Sequence, residues 1–145
     1  MQKQIKKSNR RNFLKKSAAT LPLPLFIPSS AFGANDRINF AGIGMGGRGR
    51  GDLNSFLGFS EIQTLAVCDV VQSHAEQAKS AVDRRYGNND CKTYVDYREI
   101  IMRDDIDAVL IATPDHWHAK IAIEAMTSGK DVFCEKPETL TIREG

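Results

Sequence analysis

The sequence predicts an α/β fold, a doubly wound parallel sheet with helices on both faces. Three observations point there. Apolar runs of strand length alternate with stretches of helical period along most of the chain. The first run leads straight into a cluster of glycines. The composition is globular, with 41% apolar and 26% charged residues in a chain of 145.

Ile38–Ile43 is an apolar run that reads as a buried first strand, and Leu53, Phe56 and Leu57 then fall at helical spacing. Ile62–Cys68, rich in Val, Leu and Ile, is the second strand. Ser73-x-x-Glu76 reads as a capping box opening a helix whose Ala75, Ala78, Val82 and Tyr86 share a face. Asp96-x-x-Glu99 opens a short helix carrying Ile100 and Ile101. Residues 106–112, counted as the fourth strand, form the clearest buried run. His118, Ile121, Ala122, Ala125 and Met126 line one side of a helix that Gly129 ends, and Asp131–Cys134 is the fifth strand. Thr141-x-x-Glu144 looks like the start of a further helix and points to truncation before a second α/β domain. The expected strand order is 3-2-1-4-5.

Residues 1–33 differ in kind. They carry seven Lys/Arg and no acidic residue, whereas residues 34–145 carry 13 basic against 18 acidic ones. The net charge of +2 is therefore an average over two unlike pieces. A body of net negative sign has no general attraction to phosphate backbones, which argues against a nucleic-acid partner. A basic start, a short apolar stretch over 18–27 and a small-residue end, Ala31-Phe32-Gly33, make a secretory signal. Arg10-Arg11 followed by x-Phe-Leu-Lys resembles a twin-arginine export signal, which implies a periplasmic destination. Pro22, Pro24 and Pro28 make that stretch a poor membrane helix, and no apolar run reaches spanning length. The expected division is a leader at 1–33 and a nucleotide-binding domain at 34–145.

Gly42-Ile43-Gly44-Met45-Gly46-Gly47 satisfies G-x-G-x-x-G at a strand end and the mouth of a helix. In this reading Gly42 allows the tight turn, Gly44 lets backbone approach a pyrophosphate, and Gly47 lets helix and strand pack closely. The helix N-terminus offers N–H groups and partial positive charge to the phosphates. Asp69 ends the second strand, where a carboxylate takes both hydroxyls of an adenosine ribose and repels a 2′-phosphate. The expected cofactor is therefore NAD rather than NADP. For Arg48 the pyrophosphate, a substrate anion and plain solvent all stay open as partners; Arg50 is expected in solvent.

Ligands of open α/β sheets bind beyond the carboxyl ends of the strands. Two polar clusters fall there: Thr113-Pro114-Asp115-His116-Trp117-His118 after the fourth strand and Glu135-Lys136-Pro137 after the fifth. His116 and His118 are two apart in a first helical turn and have no third partner at ligand spacing, so no metal is expected. His118 is either a histidine satisfied by local hydrogen bonds or a site residue. Trp117 is either a packing residue or a wall of the nicotinamide pocket. Lys136, oriented at a strand end by Pro137, is the candidate acid–base group for a substrate hydroxyl.

Together the glycine turn, Asp69, the segment 112–119 (A-T-P-D-H-W-H-A) and C-E-K-P at 134–137 resemble the Gfo/Idh/MocA oxidoreductases across residues 36–145. The resemblance implies a Rossmann domain binding NAD(P), with the lysine matching Lys136 at nicotinamide and substrate and a cis Lys136-Pro137 peptide. On these grounds the cofactor-binding set is Gly42, Ile43, Gly44, Met45, Gly47, Arg48, Asp69, Thr113, Pro114, His116, Trp117, His118, Glu135 and Lys136. It also implies a second domain with further catalytic residues, absent from this sequence, and a homo-oligomeric full-length protein.

Three functions follow as expectations. The first is NAD-dependent oxidation of a sugar or polyol hydroxyl. The second is a glycosidase that transiently oxidises a ring hydroxyl, eliminates, adds water and re-reduces. The third is a fragment that binds nucleotide without catalysis. Export to a compartment poor in NAD favours tight cofactor binding and a redox-neutral cycle. The three cysteines match no zinc pattern. Cys68 and Cys134 end strands three spacings apart, ~14 Å at ~4.8 Å per spacing, and are expected to stay reduced.

Overall fold

The computed structural model describes residues 37–143. The leader, with its arginine pair, and Glu144 of the last capping box lie outside the described residues. Five parallel strands form one sheet: β1 (Ile38–Ile43), β2 (Ile62–Cys68), β3 (Lys92–Tyr94), β4 (Ala108–Ile111) and β5 (Asp131–Cys134). Four helices connect them: α1 (Gly47–Phe56), α2 (Gln72–Tyr86), α3 (Tyr97–Ile101) and α4 (Asp115–Thr127). The order β3-β2-β1-β4-β5 is the expected one. β1 pairs with both β2 and β4, so the strand order reverses beside it.

Strand periodicity sorts the apolar side chains into two cores. Ala41, Ile43, Ala66, Cys68, Val109 and Ile111 face Tyr97, Ile100, Ile121 and Ala125 of α3 and α4. Phe40, Val67 and Leu110 face Leu53 and Leu57 of the α1 segment and Ala78 and Val82 of α2. The nearly continuous apolar runs of β1, β2 and β4 are thus explained by burial on both faces.

Several boundaries differ from the sequence reading. α2 begins at Gln72 with Val71 as its N-cap and no side-chain cap, so Ser73 lies inside the first turn. The cause is Asp69, whose Oδ1 accepts the Val71 N–H at 2.8 Å and turns the chain before Ser73 is reached. Asp96 does cap α3, accepting from Arg98 N–H. β4 is shorter than 106–112, although Asp107 N–H and Ala112 N–H still donate to β1 carbonyls at 2.8 and 2.9 Å. β3 is three residues with no apolar alternation, which is why it leaves no mark in the sequence. Met126 is exposed and not on the buried face of α4. Gly129, at φ 78°, ends α4: its N–H donates to Met126 O and that of Lys130 to Ala125 O, the paired bonds of a Schellman stop.

All three cysteines are free, as expected for Cys68 and Cys134. Burial pushes the thiols of Cys68 and Cys91 up to about 12 and also raises that of Cys134. Among the described residues no helix is long and apolar enough to cross a membrane. Nor does any group of three or more His, Cys, Asp or Glu there converge as a metal would need.

Candidate cofactor site

The loop from β1 into α1 decides how a ligand can approach. Gly44 has φ +83°, and a Cβ there would stand 2.7 Å from the Ala112 carbonyl and the Thr113 nitrogen. Its N–H donates to Cys68 O at 2.8 Å. Gly46 is the N-cap of α1, and a Cβ on it would meet nothing within 4 Å. Gly49 sits in the first turn of α1, where a Cβ would come 1.9 Å from the Gly44 carbonyl oxygen and 3.2 Å from Ala112 Cβ.

This corrects the roles read from the sequence. G-x-G-x-x-G also fits Gly44-Met45-Gly46-Gly47-Arg48-Gly49, two residues later. The tight turn falls to Gly44, the open helix mouth to Gly46 and the close helix–strand contact to Gly49. Gly47 faces open space, and a Cβ on Gly42 would meet only the movable end of Met45. Ile43 and Met45 are buried in opposite cores, so their side chains face no ligand. Sequence reasoning missed Gly46 and Gly49. The available signal was spacing, since Asp69 lies twenty residues after Gly49, the separation this fingerprint calls for.

Asp69 is 9% exposed at the end of β2. Besides the Val71 bond, its Oδ2 lies 3.4 Å from His74 Nδ1. The first helical bond of α1 runs from Arg50 N–H to Gly46 O at 3.0 Å, so the N–H groups of Gly47, Arg48 and Gly49 have no helical acceptor. Glycine cradle, helix mouth and carboxylate therefore stand along one crevice edge, at the reversal of strand order. These residues fit a dinucleotide, as does the buried Thr113 Oγ1, which lacks a partner among the described residues.

At the ends of β4 and β5 side chains take over. Pro114 is the N-cap of α4, and His116 and Trp117 are exposed on its first turn, Trp117 edge-on to Tyr97. His118 is buried: Nε2 is 2.7 Å from Thr113 O and Nδ1 2.6 Å from Pro137 O. It is thus held locally, its ring N–H donating to one of these two carbonyls, and it sits between the β4 end and the loop behind Lys136. The Lys136-Pro137 peptide is cis. Lys136 is exposed and lines a cleft of about 390 Å³ with Cys134, Pro137, Glu138 and Thr139.

Arg48 is not in plain solvent: its Nη2 donates to Glu135 at 2.6 Å and pairs with Asp52 at 2.9 Å. That guanidinium holds the Glu135 carboxyl below the usual range, while burial raises Asp52. Arg50, expected in solvent, is instead half-buried: it lines a groove between α1 and α2, and its Nη1 is covered with no partner among the described residues.

The profile of the Gfo/Idh/MocA oxidoreductases, an NAD-binding Rossmann fold, matches residues 38–145. A glycosyl hydrolase family 109 protein of Shewanella baltica is 37% identical over 115 residues, 74% of this chain and 24% of that protein. An α-N-acetylgalactosaminidase of Shewanella oneidensis matches at the same identity and coverage. The structure of myo-inositol dehydrogenase from Lactobacillus casei with NAD(H) and myo-inositol superposes with a TM-score of 0.65 at 27% identity, over 74% of this chain and 31% of that one. Scyllo-inositol dehydrogenase of the same organism, with NAD(H) and scyllo-inositol, gives 0.66 at 26% identity over 74% and 30%. The chain spans less than a third of the length of each of these relatives. With its sheet order, glycine turn and the profile in agreement, the chain belongs to the Gfo/Idh/MocA oxidoreductase family and carries its NAD-binding Rossmann fold.

Proposed function

We propose that this chain holds NAD along the carboxyl edge of its sheet, and that the whole protein uses it on a sugar or polyol hydroxyl. The observation that carries this is the wedge of Gly44 and Gly49 against the β4 end, which opens the mouth of α1 beside the buried Asp69. When bound, NAD supplies a site that accepts and returns a hydride. Gly44 makes the turn, Gly46 lets backbone reach the diphosphate, and the first-turn N–H groups of α1 hold it. Asp69 accepts the hydroxyls of the adenosine ribose, and its charge refuses a 2′-phosphate. Thr113, Pro114, His116 and Trp117 border the middle of the crevice, and Glu135 and Lys136 its far end. Lys136 holds the substrate hydroxyl and moves its proton.

In the full-length protein, Lys136→Met should leave NAD binding intact and lower turnover roughly 10²-fold, the scale of losing an acid–base group. Unchanged turnover would reduce Lys136 to a turn residue. A second reading draws support from the two glycosidase-named relatives: glycoside cleavage with no net change of the cofactor. Release of sugar without accumulating NADH selects it, and stoichiometric NADH selects the dehydrogenase. Export is a further part of the proposal, supported by Arg10-Arg11 and the apolar stretch that follows. Replacing both arginines with lysine should keep the protein out of the periplasm; undiminished periplasmic protein argues against it.

A further inference from the structure

We infer that Arg48 exchanges partners when cofactor binds, leaving Glu135 for the diphosphate while Asp52 keeps hold of its base. The inference rests on the proposed diphosphate site and adds what must happen there. Glu135 follows β5 and Arg48 follows β1, and β4 lies between them. Their 2.6 Å hydrogen bond therefore spans the carboxyl end of β4, across the crevice a dinucleotide would occupy. Arg48 is the second residue of α1, so its side chain springs from the first turn of the helix. One cation there serves two carboxylates, an arrangement that opposes an incoming anion until one lets go.

The two carboxylates are not equivalent. Asp52 is an i,i+4 partner on the same helix, and its second oxygen, Oδ2, is buried with no partner. A buried carboxylate in that state cannot give up its cation cheaply. Glu135 lies on another element and is as covered as Asp52, but its second oxygen, Oε2, already accepts the Lys136 N–H at 3.3 Å, so it keeps a partner when the guanidinium leaves. With Arg48 70% exposed, solvent screens this single contact to about fivefold, whereas a charge-assisted, two-pronged guanidinium–phosphate contact holds by about tenfold or more. Exchange is thus downhill, with Asp52 as pivot. It leaves an unneutralised carboxylate directly before Lys136, so diphosphate binding changes the charge beside the acid–base residue.

The test titrates the chain with ADP-ribose, which has the diphosphate and no nicotinamide, and with adenosine as the phosphate-free control. Glu135→Gln should tighten ADP-ribose binding about two- to fivefold, and Arg48→Gln should weaken it about tenfold. Neither should move adenosine. In the Arg48→Gln background, Glu135→Gln should have no further effect. The ¹³C resonance of the Glu135 carboxyl should move with ADP-ribose and stay with adenosine. A Glu135→Gln variant that binds ADP-ribose no better than the parent, or a gain that persists without Arg48, overturns the exchange. A parent chain that binds neither ADP-ribose nor NAD instead overturns the cofactor reading, and the exchange with it.

Discussion

The two halves of the crevice are built from different materials. On the β1–β2 side the working groups are backbone or buried: Gly44 and Gly49 wedged within a few ångströms of neighbouring main chain, and Asp69 at 9% exposure. On the β4–β5 side they are side chains: His116, Trp117 and Lys136 exposed, Thr113 and Glu135 half-buried, and His118 buried. The difference teaches where binding and folding separate. Changes in the first half disturb the packing that makes the fold, whereas most changes in the second alter chemistry on an intact frame.

Gly49→Ala should break the first half outright. Its Cβ would meet a carbonyl oxygen and a short alanine side chain, neither able to swing aside. A loss of about 3 kcal/mol or more is expected, at or beyond the upper end for overpacking. Thermal unfolding measures it, and a stable Gly49→Ala protein would show that α1 does not approach β4 this closely.

His118→Ala tests the exception in the second half. It removes a fully buried ring and leaves the carbonyls of Thr113 and Pro137 without it, at a cost of about 2–3 kcal/mol. Adenosine binding to the folded fraction should be unchanged. If adenosine weakens in step with stability, the two halves are not separable.

Asp69→Ala is the corresponding test of binding on the β2 side. NAD affinity should drop about tenfold, the scale of one charge-assisted hydrogen bond. The gap to NADP should narrow, because the repulsive carboxylate is gone. A parent chain that prefers NADP would contradict the role given to Asp69.

The cysteines compare the halves by exposure. Cys68 ends β2 and is buried, while Cys134 ends β5 and is half-buried. Burial raises both thiols, Cys68 to about 12. The folded state therefore holds these protons after the unfolded chain has released them. Stability should be level below the ordinary thiol range and should fall as pH rises above about 9 toward 12. Thiol labelling at neutral pH should modify Cys134 before Cys68. The reverse order would place the β2 end nearer solvent than the β5 end.

Most of the fold was legible because burial on both faces writes strands as apolar runs. Ile38–Ile43 and Ile62–Cys68 have the boundaries the sequence predicts. β3 was not legible, since Lys92, Thr93 and Tyr94 bury little and follow no alternation. Of the site, Asp69 and the position of Lys136 at a strand end could be read from order and spacing alone. The pairing of Arg48 with Glu135 could not, because it joins residues 87 apart that only the sheet topology brings together. The roles of the glycines were misread because two overlapping frames fit one pattern; the spacing to Asp69 differs between them by only two residues, and packing decides.

That ambiguity yields the smallest predicted effect and the sharpest one. If Gly47 were the close-packing glycine, alanine there would damage the fold as alanine at Gly49 does. In this structure its Cβ enters open space at the first position of α1. Glycine in a helix costs about 0.5–1 kcal/mol relative to alanine, mostly through backbone freedom lost on folding, and less at a helix end. Gly47→Ala should therefore raise stability by about 0.5 kcal/mol. Gly46→Ala should also fold, since its Cβ would meet nothing, yet it should weaken ADP-ribose, because the space it fills is the one a diphosphate would enter. A Gly47→Ala protein destabilised by more than about 1 kcal/mol would return the motif to its earlier frame, with Gly42 as the turn and Gly44 as the point of phosphate approach.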